Sequence, residues 1–437
     1  MARVFLIGAG PLPGSNPDSL GFAQLRTRWF LQALSAKHEV CVVLLQGCEQ
    51  PVGEHATVDP AEGDWIARLS GQLEAFAPDV VVSAAPYDTA RAAAMCAGER
   101  PLWVDVPGDP FAEAQAKASH TGDSVAYREM RAAYGPALAR ADAFSGISEA
   151  QRHALVGQLG ILGRLEGAPI ELDWVFSLPA VYDFGDLLEA DVRTREPKTP
   201  LTVALSGGYN TWLDGEGLLE GLHRAMGRAD VRVVSTGGAI EGHHGDTYRS
   251  FQEQACSGPH ADRFTFHGWV PHHEVPLCLE TAHVGISLDR PGFEPELGTR
   301  TRLLFFVHQG MEVITTLGCD LCREMEHLVH GVPSGDPEAL ARVLVELYEQ
   351  GQDGRATQAA REHLLDRYTL DSVMAPLLQW VENPARVAAV DDPTASLGEE
   401  LARVRAELAA VHATPTWKAS GILKRSAQQL GRIRGGD

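Results

Sequence analysis

The stretch RFTFHGWVPHHEVPLCLETAHVGISLDRPGFEPELGTRTRLLFFVHQGMEVITT, residues 263–316, alternates short apolar runs with helical patterns. Strands are predicted over 264–267, 283–288 and 312–316, and helices over 273–281 and 299–309. Gly268, Gly292 and Gly298 fall where strands end or in the loops that follow them. This alternation predicts a parallel, doubly wound sheet with a ligand crevice at the carboxyl ends of its strands.

The loop before the second of these helices is predicted to bind an anion. Thr299 can cap the helix, and Arg300 and Arg302 fall in its first turn. Cations are unfavourable there because the macrodipole already makes the amino end of a helix positive. A bound diphosphate would compensate both arginines. In the alternative, which stays open, both arginines pair with Glu294 and Glu296 and only hold the loop.

The stretch also resembles a known family. The order Phe-His-Gly-Trp-Val-Pro (266–271), helix, apolar strand, acidic glycine-containing loop, helix, Gly310 and Val-Ile-Thr (313–315) looks like the donor-binding half of a nucleotide-sugar glycosyltransferase. It is most similar to the large retaining family (family 4-like, glycosyl transferases group 1). That family has the GT-B architecture, an α/β fold of two Rossmann-like domains facing a cleft. The similarity covers most of residues 1–385, but only this stretch and a Gly207-Gly208 loop are specific.

The resemblance implies roles for particular residues. Contacts with the donor nucleotide are expected from Gly207, Gly208, Trp269, Val270, Thr299, Arg300 and Arg302: the glycines and arginines at the diphosphate, and Trp269 and Val270 near the base. Catalytic contacts are expected from Glu294 or Glu296 at the sugar hydroxyls, and from His120 as the cleft histidine of the acceptor domain. A surface position for His120 is the alternative.

Three features depart from the family pattern. The carboxylate that holds the ribose in the family corresponds to Phe305 here, counted back from Gly310. The Gly207-Gly208 loop carries no Lys or Arg, and Asp214 lies near it. The turn after Gly310 reads Met-Glu-Val, where the family has an apolar residue followed by proline.

Composition excludes several classes of protein. The 437 residues are 44% hydrophobic and 22% charged, as in globular proteins of two domains. A net charge of −21 argues against a nucleic-acid partner. No apolar run approaches the roughly 20 residues that span a bilayer, and residues 4–7 are predicted to be a first strand rather than part of a signal peptide. Seven cysteines, an odd number, indicate reduced thiols and a cytoplasmic location.

No metal and no cofactor are expected apart from the nucleotide-sugar as co-substrate. Cys319 and Cys322 form a CxxC with His327 nearby, but a second pair at metal-ligand spacing is missing from the sequence. We interpret them as two thiols packed near a helix start.

The chain is divided into three parts. Residues 1–179 are predicted to form the acceptor-side domain, 180–385 the nucleotide-sugar domain, and 386–437 a linker, a short heptad helix over 397–411 and a basic tail. The helix either forms a coiled coil or docks on its own domain. The tail either contacts a membrane surface or another anionic partner, or stays solvated.

Two loops of the first domain leave alternatives open. The segment from Gly8 to Gly14 either approaches the donor or acceptor across the cleft, or is a plain strand-end turn. Asp105 and Asp109 either line the cleft or cap the helix that begins near Phe111.

The leading functional hypothesis is a glycosyltransferase of the hexosyl type with a retaining mechanism. It would use a nucleoside-diphosphate-sugar and a glycan or lipid-linked acceptor in cell-surface polysaccharide or glycoconjugate synthesis. The alternative is a non-catalytic relative that acts as a scaffold or regulatory partner. A nicotinamide oxidoreductase is disfavoured, since the glycines after the first strand miss the dinucleotide fingerprint and no carboxylate ends the second strand.

Overall fold

A computed structural model describes residues 1–12, 21–45, 55–85, 87–122, 124–168, 173–240 and 245–392, together with Arg403, Ala406, Glu407 and Ala410. Residues 13 and 14 of the Gly8–Gly14 loop, most of the predicted heptad helix and the basic tail lie outside these residues. The four described residues between 403 and 410 are helical.

The first half of the chain forms one parallel sheet with helices on both faces. Its elements are β1 (Arg3–Ala9), α1 (Phe22–Ser35), β2 (Glu39–Leu45), β3 (Ala56–Val58), α2 (Trp65–Phe76), β4 (Val80–Ser83), α3 (Asp88–Cys96), β5 (Leu102–Val106), α4 (Pro110–Thr121), α5 (Val125–Arg140), β6 (Ala143–Gly146), α6 (Glu149–Ile161) and β7 (Val175–Ser177). In the described residues the strand order is β3-β2-β1-β4-β5-β6-β7. The buried strands β4, β5 and β6 are apolar along almost their whole length, as a sheet covered on both faces requires.

The second half repeats this plan. Its elements are β8 (Leu201–Leu205), α7 (Gly215–Met226), β9 (Val231–Thr236), α8 (Gly245–Ser257), β10 (Phe264–Gly268), α9 (Val275–Cys278), β11 (Val284–Ser287), α10 (Phe293–Leu297), α11 (Thr301–His308), β12 (Glu312–Thr315), α12 (Asp320–Glu324), β13 (His330–Gly331), α13 (Pro337–Gln350), α14 (Arg355–Arg367) and α15 (Leu370–Glu382). The order among the described strands is β10-β9-β8-β11-β12-β13, all parallel.

The strand order of each sheet reverses direction at one place. The reversal lies between β1 and β4 in the first sheet and between β8 and β11 in the second. Loops at such switch points leave a crevice at the carboxyl ends of the strands, where open α/β sheets bind ligands. The loops after β8 and β11 contain two segments for which the sequence predicted donor contacts, Gly207-Gly208 and the residues from Glu294 to Thr299.

Helix α15 returns to the first sheet. Its Trp380 packs edge-on against Trp103 of β5, with ring centroids 5.5 Å apart. The carbonyl of Pro179, where the sequence placed the domain boundary, accepts a 2.8 Å hydrogen bond from Arg26. The boundaries at residues 179 and 385 stay predictions, while the two sheets end and begin at Ser177 and Leu201.

The helix predicted over 299–309 is present as α11 but begins two residues later, and a short additional helix, α10, lies in the loop before it. Helix α10 ends at Leu297, Gly298 follows with extended backbone (φ −83°, ψ −162°), and α11 begins at Thr301. Arg300 occupies the capping position without a side-chain cap, so the prediction that Thr299 caps this helix is wrong. The side chain of Arg300, which lies between the two helices, turns back toward Asp289 and Glu294.

The structure separates the alternatives for Asp105 and Asp109. Asp105 is fully buried and pairs with Arg26 of α1 through two hydrogen bonds of 2.9 and 2.8 Å. Ser145 donates a third hydrogen bond to it at 2.6 Å. Asp109 caps α4 by accepting from the amides of Phe111 and Ala112. Asp109 is therefore the predicted cap, whereas Asp105 holds α1 against the first sheet.

Candidate functional site

A cavity of about 410 Å³ lies between the two sheets and is lined by residues from both. The first domain contributes residues that include Phe22, Gly108 and Glu113. From the second domain, the loop after β8, the loop after β9 and the segment from Glu294 to Phe305 reach the same space. Both predicted specific loops therefore meet in one cleft.

The glycines of the predicted anion loop permit its close packing. Gly207 has a positive φ of 87°, which side-chain-bearing residues rarely adopt. A Cβ atom on Gly208 would collide with the side chain of Ile240. Gly207 and Gly208 thus bring backbone rather than side chains to the cleft wall, the arrangement by which backbone groups approach phosphate closely.

Arg302 lies beside this glycine loop. Its Nη2 donates a 2.8 Å hydrogen bond to the carbonyl of Gly208, and the side chain lines the cleft. Among the described residues no carboxylate lies within ion-pair distance of it. Burial lowers the pKa of Arg302, and the nearby Arg300 acts in the same direction. Asp289 and Glu294 act in the opposite direction without lying within ion-pair distance. A half-buried guanidinium that has no carboxylate in direct contact is well placed to bind an anion.

Arg300 is in a different position. It is 6% exposed and forms ion pairs with Asp289 and, at 2.8 Å, with Glu294. This corresponds to the alternative in which an arginine holds the loop, although Asp289 rather than Glu296 is the second partner. The charge of Arg300 is therefore already compensated by protein carboxylates.

Glu294 lines the cleft and is 8% exposed. Burial raises the pKa of Glu294 from 4.5 to about 7, against the opposing effect of Arg300, while Asp289 and Glu113 add to the increase. The carboxyl group thus titrates near neutral pH. Both of its oxygens lie within hydrogen-bond distance of Arg300, which holds the carboxyl group of this α10 residue at the cleft wall.

The pKa of Glu294 predicts a pH dependence of stability. Between pH 4.5 and about 7 the folded state binds this proton more tightly than the unfolded state, so the free energy of unfolding falls as pH rises. We expect a contribution on the order of 3 kcal/mol, measured by urea unfolding of the wild type relative to Glu294→Gln at each pH. The exposed Glu296→Gln is the control. If the difference in unfolding free energy between the wild type and Glu294→Gln does not change with pH across this window, the raised pKa assigned to Glu294 is contradicted.

The remaining predicted donor contacts also reach the cleft. Trp269, Val270 and Thr299 line it together with Gly207 and Gly208. The indole Nε1 of Trp269 donates a 2.9 Å hydrogen bond to the carbonyl of Ala239, which fixes the ring at the rim.

Two predicted catalytic residues are not brought to this cleft. Glu296 is exposed and lines a second cavity of about 460 Å³, on the other side of the loop that contains α10. His120 is exposed near the carboxyl end of α4 and does not line the cleft described here.

Sequence reasoning missed the role of Glu113, on the first turn of α4. Glu113 lines the cleft, accepts a hydrogen bond from the hydroxyl of Tyr87, and lies 3.7 Å from Lys117. It is the titratable residue that the first domain contributes to the described cleft lining. Its position directly after a strand-end loop was the signal that could have identified it.

The CxxC does not belong to a metal site among the described residues. In that part of the chain no group of three or more His, Cys, Asp and Glu is arranged to hold an ion. Cys319 and Cys322 are buried, with their sulfur atoms 3.2 Å apart. Nor does any helix in the described ranges have the length and apolarity needed to span a membrane.

Comparison with known proteins identifies the architecture. No protein-family model matches the chain, and no curated protein matches it. Among solved structures, HepE from Anabaena, in complex with UDP and glucose, is similar at 14% identity and a TM-score of 0.62, covering 87% of this chain and 100% of that one.

Two further structures share this similarity. A sucrose-phosphate synthase from Thermosynechococcus elongatus has 14% identity and a TM-score of 0.58, over 87% of this chain and 98% of that one. A glycosyltransferase from Rickettsia africae ESF-5 has 12% identity and a TM-score of 0.56, over 88% and 99%. The fold that the sequence resemblance implied is therefore confirmed: the chain has the GT-B fold, with two Rossmann-like domains facing a cleft.

Proposed function

We propose that the protein is a glycosyltransferase that takes a sugar from a nucleoside-diphosphate-sugar. The observation that carries this proposal is Arg302, a cleft guanidinium without a carboxylate partner in the described chain, placed against the Gly207-Gly208 backbone. A diphosphate supplies the missing negative charge, and backbone groups and arginine are its usual partners. The similar HepE was solved with UDP and glucose, which supports the same class of donor here.

The proposal gives each part of the cleft a role. Gly207, Gly208 and Arg302 hold the diphosphate, Thr299 lies at the start of α11 beside it, and Trp269 with Val270 receives the base. Glu294, oriented by Arg300, accepts hydrogen bonds from hydroxyls of the donor sugar. Glu296 and His120, which do not line the cleft, have no part in this assignment.

The chemistry needs mainly positioning and charge stabilisation. As the bond between the anomeric carbon and the diphosphate oxygen breaks, negative charge builds on the leaving group. Arg302 is half-buried and already held by the carbonyl of Gly208, so it stabilises that charge with little reorganisation. The facing first domain, with Glu113, holds the acceptor close to the sugar.

The transferred sugar, the stereochemistry, the acceptor and the pathway are also part of the proposal. We infer transfer of a hexose, with retention of anomeric configuration, to a glycan or lipid-linked acceptor in cell-surface polysaccharide or glycoconjugate synthesis. The resemblance of residues 263–316 supports these points. Contact of the basic tail with a membrane, or dimerisation through it, concerns residues outside those that the structure describes.

A second candidate is a non-catalytic relative that acts as a scaffold. It is favoured by Arg300, whose charge is consumed by Asp289 and Glu294, and by Phe305 at the position where the family carries a carboxylate.

Binding and turnover separate the two candidates. Calorimetry with UDP, GDP, ADP and dTDP tests the nucleotide site, and release of nucleoside diphosphate from the corresponding glucose and galactose donors tests catalysis. Micromolar binding of one nucleotide with measurable release supports the transferase. Binding without release from any donor, with or without added glycan, favours the scaffold, and no binding contradicts both assignments of the cleft.

A further inference from the structure

Helix α11 joins two chemically different parts of the cleft. Toward its amino end lie Arg300 and Glu294, and Glu113 of the first domain raises the pKa of Glu294 from across the cleft. Toward its carboxyl end, Phe305 lies three residues beyond Arg302, on the same face of the helix. The proposed diphosphate contact therefore lies between a charged region and an aromatic one.

The aromatic region is a packed hydrocarbon wall. Phe305 lines the cleft and is 8% exposed. Its ring meets that of Phe184 edge-on, with centroids 5.5 Å apart and an interplanar angle of 70°. Phe184 and Val275 also line the cleft. A group bound here, one helical turn from the diphosphate, meets mainly carbon, with the neutral Thr301 four residues before Phe305 on the same helix face and no carboxylate at position 305.

The orientation of a bound nucleotide-sugar follows from its own chemistry, given the proposed function. A donor hexose carries several hydroxyls that need hydrogen-bond partners, and the cleft carboxylates Glu294 of α10 and Glu113 of α4 provide them. The nucleoside must then extend from the diphosphate in the other direction. Its pentose falls beside Phe305, and its base reaches the aromatic rim at Trp269.

Polar partners for the pentose are scarce in this region. The carboxylates among the described cleft residues are Glu113 and Glu294, both in the charged region. His272 also lines the cleft, but its Nε2 lies 3.2 Å from the carbonyl of Phe184. Burial lowers the pKa of His272, which favours the neutral ring, and a neutral imidazole is a weaker acceptor than a carboxylate.

We propose that this site does not select for the 2′-hydroxyl of its nucleotide, so that 2′-deoxynucleoside diphosphates and their sugars bind as well as the ribonucleotide forms. The inference rests on the proposed function, because it takes the cleft to be a nucleotide-sugar site. It adds 2′-deoxynucleoside diphosphates and their sugars to the ligands of the site, which a carboxylate at position 305 would disfavour.

Matched nucleotide pairs test the proposal on the wild-type protein. The probes are UDP and dUDP, GDP and dGDP, and ADP and dADP, compared by calorimetry. For the pair that binds, the dissociation constants of the two nucleotides are expected to agree within about threefold. A charge-assisted hydrogen bond to a hydroxyl increases affinity by roughly 10- to 100-fold. A ribonucleotide that binds tenfold or more tightly than its 2′-deoxy form therefore overturns the proposal. If none of the six binds at millimolar concentration and dTDP does not bind either, the proposed function itself fails, and this inference fails with it.

Installing a carboxylate gives a second, independent test. Phe305→Glu is expected to create a preference for the ribonucleotide of about tenfold, whereas Phe305→Leu, which keeps the wall apolar, leaves the pair equal. Near-ultraviolet circular dichroism checks that each variant is folded. A folded Phe305→Glu that still binds both forms equally shows that the pentose does not lie beside residue 305. If that variant does not fold, the wild-type comparison alone decides.

Discussion

Replacing Arg302 with alanine is expected to weaken the binding of UDP, or of whichever nucleoside diphosphate binds, by about thirtyfold or more. Removing one partner of a desolvated, hydrogen-bonded charge pair costs about 2–5 kcal/mol, and the diphosphate would lose its one cationic side-chain partner proposed here. The side chain makes no ion pair with any described residue, so its loss leaves no protein carboxylate unpaired. Stability should therefore change by less than about 1 kcal/mol.

Calorimetry on folded Arg302→Ala measures the loss of affinity, and urea unfolding measures stability. Arg323→Ala is the matched control, because Arg323 is 47% exposed, pairs with Asp320 and lines the second cavity instead of the cleft. The control should keep wild-type affinity. Unchanged nucleotide affinity in Arg302→Ala together with lower stability contradicts the phosphate assignment and leaves Arg302 as a support for the glycine loop.

Replacing Arg26 with methionine is expected to lower the free energy of unfolding by about 3–5 kcal/mol. The Arg26 and Asp105 side chains are both fully buried and joined at 2.8 Å, so the variant leaves a carboxylate with no cation in the core. Arg26 also bonds the carbonyl of Pro179, which ties α1 to the segment that leaves the first domain. The loss thus affects the sheet and the interdomain connection together.

Urea unfolding of Arg26→Met measures this loss, with Arg28→Met on the same helix as its control. Arg28 pairs at 3.5 Å with Asp186, whose side chain is 66% exposed, and such surface pairs contribute about 0–1 kcal/mol. The double variant Arg26→Met with Asp105→Leu removes both charges and should recover most of the lost stability. A single variant that loses less than the surface control shows that the buried pair contributes no net stability.

Much of the fold could be predicted because strands and helices produce local patterns of apolar residues in the sequence. Apolar runs such as Val80–Ser83 and Val284–Ser287 lie between helical patterns and glycines, and each became a buried parallel strand. Helices α5, α8 and α14 were missed. Helix α5 contains Gly135 and Pro136, both of which count against a helix when sequence alone is considered. Packing against α3 and α4 stabilises it nonetheless.

The candidate site was predicted in outline but not in its pairings. The residues of two loops, near 207 and near 300, were placed in one cleft by the expectation that parallel strands end at a common edge. The sequence did not determine whether Arg300 or Arg302 lacks a carboxylate partner. Nothing local distinguishes Arg300 from Arg302, since both flank the same helix start and both have the same side chain.

By itself, then, the sequence determined two parallel α/β sheets and the position of a ligand loop in each half, because strand and helix periodicities are local properties of the chain. Only the tertiary structure decided which charges are paired. Arg26 meets Asp105 across 79 residues, and Arg302 meets Gly208 across 94. Arg300 turns back to Asp289 and Glu294, which compensates its charge and leaves Arg302 facing the cleft. Such pairings depend on which side chains are desolvated together, and that becomes defined only when both domains are folded around the cleft.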